Sequence, residues 1–150
     1  MLVSRLGAFD GLAVADIFAG TGALGLEALS RGATSCVFVE QERDALAALR
    51  ANIAALNAPA EVLPIGVANL GRPPRPCDLL LFDPPYGSGG AGALIERLSR
   101  LGWAVPGAWA SVETSRGEQV SAEGWTLDTE RTHGKAKLSL LVRSPAAPPG

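Results

Sequence analysis

The chain has no apolar run near the roughly 18 residues that span a bilayer as a helix. It also lacks the charged, apolar and small-residue regions of a secretory leader. These absences lead us to expect a soluble, cytoplasmic protein. Cysteine is nearly missing: Cys36 and Cys77 stand alone in apolar contexts without metal-ligand spacing. That excludes a disulfide framework, gives no metal site and predicts buried, reduced thiols. Aromatic residues make up only 5% of the sequence, so the core must be built from Leu, Val, Ile and Ala. There is one histidine, His133, in a predicted turn, where it reads as a surface residue rather than a catalytic base. A basic excess is absent too. Thirteen Lys and Arg against 15 Asp and Glu give a net charge of −2, which supplies no global attraction to nucleic acid but leaves room for a local patch. Without repeats or a break in composition, 150 residues predict one domain over 1–144 and a proline-rich, disordered tail over 145–150.

What the chain does have is Leu79-Leu80-Leu81-Phe82-Asp83-Pro84-Pro85-Tyr86. A short, continuous apolar run reads as a strand buried on both faces, as in the middle of a parallel sheet. The prolines push the residues before them out of the α region, so no helix starts there. The result is a rigid lip at the carboxyl end of a central strand, where open α/β sheets bind ligands. Asp83 supplies an acceptor, the proline segment supplies carbonyls, and Tyr86 supplies a flat face. Such a lip suits a planar group bearing an amine. A proline turn with a solvated carboxylate would use the same residues.

The rest of the chain supplies alternating strands and helices. Met1 to Leu6 has the spacing of a helix end, and Asp10-Gly11 marks a turn. A first strand is expected over Leu12–Phe18, followed by Gly20, Gly22 and Gly25 in the order G-x-G-x-x-G at the start of a helix that stops at Arg31-Gly32. A second strand over Ser35–Val39 ends at Glu40-Gln41, and an amphipathic helix over Glu42–Leu56 follows. Glu61–Ile65 reads as a third strand, leading into Gly66-Val67-Ala68-Asn69, and Cys77–Phe82 reads as the fourth. Gly87–Gly92 reads as a glycine-rich loop fit to be a lid, Ala93–Leu101 as a helix, Gly102–Gly107 as a turn and Ala108–Glu113 as a fifth strand. Gly124–Arg143 alternates like a half-exposed hairpin around Thr132-His133-Gly134.

A strand, a glycine loop, a helix, a strand and an acid bind nucleosides of several kinds. A P-loop is excluded, because no Gly-Lys-Ser/Thr follows the glycines. A nicotinamide or flavin Rossmann domain fits the glycines and Glu40, which lies 20 residues after Gly20 and can take a ribose. Asp16, however, stands four residues before Gly20, where a carboxylate opposes a pyrophosphate and suits an ammonium or sulfonium. The third reading, an S-adenosylmethionine site, places Asp16, the glycines, Glu40 and Asp83 in one row along the sheet edge.

Residues 16–33, with Phe38-Val39-Glu40, Phe82-Asp83-Pro84-Pro85-Tyr86, Leu101-Gly102-Trp103 and Gly134-Lys135-Ala136-Lys137-Leu138, resemble the RsmD family of bacterial 16S ribosomal RNA guanine-N2 methyltransferases. The resemblance covers nearly the whole chain. Asp-Pro-Pro-Tyr by itself marks amino methyltransferases in general, adenine-N6 DNA enzymes included. The family fold is a Rossmann-like class I methyltransferase: seven strands, mostly parallel, with the last antiparallel and helices on both faces. The resemblance implies S-adenosylmethionine as cofactor, held by Asp16, Phe18, Ala19, Gly20, Thr21, Gly22, Glu40, Gln41, Val67, Ala68 and Asp83. It implies chemistry at Asp83, Pro84, Pro85 and Tyr86, and 16S ribosomal RNA or the small ribosomal subunit as partner.

Two departures qualify this. The family carries a basic amino-terminal segment with an Arg-Pro-Thr stretch, whereas this chain starts inside the helix that follows it. A recorded start that is too late is the expected reason, and a cofactor-binding module without activity is the functional alternative. Where the family has Asp or Asn beside the adenine, this chain has Val67 and Ala68. Arg131, Lys135, Lys137 and Arg143 read either as a solvated hairpin face or as an RNA-phosphate patch, and Arg72 and Arg75 as loop charges.

Overall fold

The computed structural model describes residues 9–84 and 90–145. The expected helix end at Met1–Leu6, Pro85, Tyr86, residues 87–89 of the glycine-rich loop and most of the proline tail lie outside them. The strands are β1 (Ala13–Ile17), β2 (Ser35–Val39), β3 (Ala60–Leu63), β4 (Cys77–Phe82), β5 (Ala104–Ser115), β6 (Trp125–His133) and β7 (Ala136–Arg143). The helices are α1 (Ala23–Ser30), α2 (Arg43–Leu56) and α3 (Ala91–Arg100), with one 3-10 turn at Val67–Asn69.

The strands form a single sheet in the order β3-β2-β1-β4-β5-β7-β6. The first five run parallel, and β7 lies antiparallel between β5 and β6. This is the expected seven-stranded, mostly parallel architecture. Strand order reverses between β1 and β4, which places the switch point of the sheet at the carboxyl ends of those two strands.

Alternation along the strands divides the core in two. Ala15, Ile17, Val37, Val39, Leu80 and Phe82 pack with Ile95 and Leu98 of α3. Val14, Phe38, Leu79 and Leu81 pack on the other face with Leu26 of α1 and Leu49 of α2. Leu79 and Leu80 are fully buried, as the apolar run required. Both cysteines are buried and free, and burial pushes the Cys77 thiol up to about 12. Among the described residues no helix is long and apolar enough to cross a membrane.

Ser35–Val39 and Cys77–Phe82 keep their expected bounds. The fifth strand does not: it begins at Ala104, inside the stretch expected to turn. Ala104 pairs with Cys77 and Trp109 with Leu79, so two steps along β4 face five along β5, and a bulge carries Pro106 and Gly107. The buried Trp103 fixes the entry to this strand by donating its indole N–H to the Gly71 carbonyl at 2.9 Å. α3 starts earlier than expected, at Ala91, with Gly90 at its N-cap. β6 is an edge strand exposed over most of its length, with Trp125 its buried residue.

Candidate active site

The site begins where β1 ends. Ile17 is the last strand residue, and Phe18 turns the chain with a left-handed φ of 65°. This conformation is uncommon for a bulky side chain and, where it occurs, clusters at ligand sites. The Ala19 N–H donates to the Val39 carbonyl at 2.9 Å, so the loop is tied to the end of β2. Gly20 has φ 58° and Gly22, the N-cap of α1, has φ 90°. A Cβ on Gly20 would meet nothing within 4 Å, whereas one on Gly22 would meet Leu49 at 2.5 Å. A Cβ on Gly25 would press on the Phe38 ring at 2.5 Å and the Cys36 sulfur at 2.7 Å. The three glycines thus serve different ends: Gly20 leaves space open, and Gly22 and Gly25 let α1 and its neighbours close onto the sheet.

Glu40 follows β2 and holds this loop. One carboxylate oxygen accepts the Gly20 N–H at 2.7 Å, and the other accepts those of Gln41 at 3.0 Å and Glu42 at 2.9 Å. A carboxylate offers about four acceptor positions, so room for a hydroxyl donor is left. Glu42 caps α2 through the N–H groups of Asp44 and Ala45.

Asp16 behaves differently. It is 2% exposed and its carboxylate accepts the Gly25 N–H at 3.0 Å. Burial is the main cause that pushes its carboxyl up to about 7. The Gly25 bond opposes this, while Asp83 and Glu40 add to it. Asp83 stands exposed just beyond β4, and partial desolvation raises its carboxyl as well.

A cleft of about 370 Å³ opens at the switch point. Phe18, Gly20, Glu40, Gln41, Val67 and Asp83, all expected at the site, line it. Val39, Glu42, Ile65 and Gly66 complete the wall and were not foreseen. Asp16, Ala19, Thr21, Gly22, Ala68 and Pro84 stand outside the lining; Asp16 and Ala19 are buried. Three acids and no Lys or Arg line the cleft among the described residues.

Two supports escaped the sequence reading. Arg97 of α3 donates to the carbonyls of Val67 at 3.2 Å and Leu70 at 2.9 Å, which fixes the turn at the cleft's floor. Asn52 of α2 donates to the Thr21 carbonyl at 3.0 Å and steadies the glycine loop. The four hairpin cations do not form one patch. Lys137 is buried and faces Glu130 at 3.6 Å, and Arg143 donates to the Ala104 carbonyl, while Arg131 and Lys135 are exposed. His133 is exposed at the end of β6, as expected.

The sheet order and the cleft at its switch point define a Rossmann-like class I methyltransferase fold. Solved methyltransferases have the same fold. The Escherichia coli protein yhhF superposes with a TM-score of 0.86 at 31% identity, over 97% of this chain and 83% of that one. A methylase from Haemophilus influenzae gives 0.85 at 30% identity, over 95% and 94%. A family profile described as Conserved hypothetical protein 95 matches residues 4–142, and the chain belongs to this family, the RsmD family. Ribosomal RNA small subunit methyltransferase D is 33% identical over 126 residues in Haemophilus influenzae and over 132 residues in Escherichia coli. The chain spans 65% and 67% of the length of these two relatives, and they match 79% and 85% of it.

Proposed function

We propose that the protein transfers a methyl group from S-adenosylmethionine to the exocyclic N2 amine of a guanine in 16S ribosomal RNA, in the cytoplasm. The observation that carries this reading is the cleft at the switch point, lined by both Glu40 and Asp83. Its lining fits the cofactor. Glu40 has acceptor capacity left for a ribose hydroxyl, while Ile65, Val67 and Phe18 offer apolar surface to a purine. Val67, expected here, and the unforeseen Ile65 make the adenine contact apolar where the family has Asp or Asn. Three lining acids favour a cationic ligand and oppose the pyrophosphate of a dinucleotide. Buried Asp16 holds the Gly25 N–H and, when ionised, adds negative potential near the glycine loop.

When bound, the cofactor supplies an electrophilic methyl group on a sulfonium. The chain's residues prepare the acceptor. An aromatic amine is a poor nucleophile because its lone pair is delocalised into the ring. Asp83 and the Pro84 carbonyl accept its two N–H groups, which favours a pyramidal nitrogen and aims the lone pair at the cleft. Even raised by desolvation, Asp83 is too weak a base to deprotonate such an amine in the ground state. It takes the proton as the nitrogen becomes cationic. Tyr86, in this reading, stacks on the base, a contact worth roughly 1–3 kcal/mol.

The test is methylation of undermethylated 30S particles or 16S RNA. Asp83→Ala should abolish transfer while leaving S-adenosylmethionine binding nearly intact. The coverage of about two thirds of the relatives keeps one second reading, a cofactor-binding module without chemistry. That reading expects binding and no transfer even at high protein concentration. Tight NADH binding without S-adenosylmethionine binding would sink both.

A further inference from the structure

The parallel register of β4 and β5 ends in the pair Phe82–Val112. β4 stops there, but β5 continues to Ser115. Asp83 and Glu113 are the next residues along the two strands, and continuing that register sets them beside each other, at a strand spacing of about 4.8 Å. Burial and the nearby Asp83 charge both push the Glu113 carboxyl up, as expected for neighbouring acids. Across β5's other edge the partner of Glu113 is Leu138, which has no charge to offer. Among the described residues neither Asp83 nor Glu113 has a hydrogen-bond or ion-pair partner. Glu113 is partly buried and has no donor beside it, so a donor from a ligand would suit it, while Asp83 stands exposed at its side, open to the same ligand.

The position of the pair supplies the chemistry of that ligand. The cleft lies on the β1, β2 and β3 side of Asp83, and Glu113, on β5, lies on the opposite side and outside the cleft lining. A guanine presents two adjacent donors along its pairing edge, the N2 amine and N1–H. Adenine presents its amine beside an N1 that is an acceptor. We propose that Glu113 is a specificity residue that accepts the N1–H of the target guanine while Asp83 accepts the N2 amine, so that the pair admits guanine and rejects adenine. This rests on the reading of the site as a guanine-N2 methyltransferase. It extends the cleft already described and assigns a role to a residue on β5 that no motif marks.

The test uses the full chain and 16S RNA joined from fragments, with guanosine or 2-aminopurine riboside at the methylated position, assembled into 30S particles. 2-Aminopurine keeps the amine and turns N1 into an acceptor. The unaltered protein should transfer to guanosine roughly 10–100 times faster than to 2-aminopurine, the span of one or two matched hydrogen bonds. In Glu113→Gln the neutral amide can turn its carbonyl to N1–H or its NH₂ to an N1 acceptor, so transfer to guanosine should fall and the preference should shrink at least tenfold. Glu113→Asp, which keeps the acceptor, should retain the preference, and S-adenosylmethionine affinity should stay the same in both variants. Equal slowing of both substrates by Glu113→Gln, with the preference unchanged, overturns the role of Glu113 alone. No transfer to guanosine particles by the unaltered protein overturns the methyltransferase reading, and this one with it.

Discussion

The carboxylate of Glu40 grips the N–H of Gly20 at 2.7 Å, so the acid after β2 shapes the glycine loop before any ligand arrives. Its second oxygen is held by Gln41 and Glu42. Glu40 is therefore a preorganised acceptor, with its rotamer fixed by the backbone it caps. In Glu40→Gln the amide can keep Gly20 only by turning an NH₂ towards two N–H donors. Hydrogen bonds to a charged group contribute about 1.5–3 kcal/mol each, so losing even part of this set should weaken S-adenosylmethionine binding tenfold or more. Calorimetric titration of the variant checks this. Unchanged affinity would remove Glu40 from the cofactor site.

Two glycines of the same loop should separate stability from binding. Alanine at Gly25 drives a methyl into Phe38 and Cys36, and such overpacking costs about 1–3 kcal/mol. Alanine at Gly20 meets no atom within 4 Å and carries only the strain of its left-handed backbone, about 1–2 kcal/mol, but it narrows the space beside Glu40. Urea unfolding should find Gly25→Ala the less stable of the two. Cofactor titration should find Gly20→Ala the weaker binder. The reverse order would show that the loop packs otherwise.

Arg97 offers a prediction about a residue far from the chemistry. It closes off two carbonyls of the segment that carries Val67, and Arg97→Met keeps its apolar stem while leaving both without a donor. The loss should be about 1–3 kcal/mol and local. Hydrogen exchange should quicken at the amides of Asn69 and Leu70, which close that turn. If exchange instead quickens evenly across the sheet, Arg97 is a global brace and not a support of the cleft floor.

Much of this site can be read without coordinates because its parts are local. The glycines, Glu40 and Asp83 sit at strand ends that hydrophobic runs and breakers announce, and Ser35–Val39 and Cys77–Phe82 were placed to the residue. Arg97 and Asn52 leave no such trace. They donate to backbone carbonyls 27 to 31 residues away, and any residue type can present a carbonyl. The bulge before Ala108 was hidden because Pro106 and Gly107 look like a turn, while the register that keeps them in β5 belongs to β4. The sequence marks Asp16 as an acid at a strand end but carries no sign of its depth. The period of two puts its side chain on the face of Val14, which packs with α1, and there it meets the Gly25 N–H.

That depth makes Asp16 the source of a pH effect. Its carboxyl is raised from 3.8 to about 7, so the native state prefers it protonated. The favourable contribution is fully present below the unfolded value of about 3.8 and fades as pH rises through about 7. A shift of this size corresponds to about 4 kcal/mol, against a background set by Glu40, Asp83 and the Gly25 amide. Unfolding free energy should fall between about pH 4 and pH 7 and level off above, and Asp16→Asn, which keeps an acceptor for Gly25, should flatten the curve. A cationic ligand at the neighbouring cleft reverses the preference, because its charge favours the ionised carboxylate. S-adenosylmethionine should therefore release a proton on binding near pH 7 and bind more tightly as pH rises from 6 to 8. S-adenosylhomocysteine, with a neutral sulfur, should show a much smaller trend. Parallel trends for the two ligands would mean that Asp16 does not sense the sulfonium.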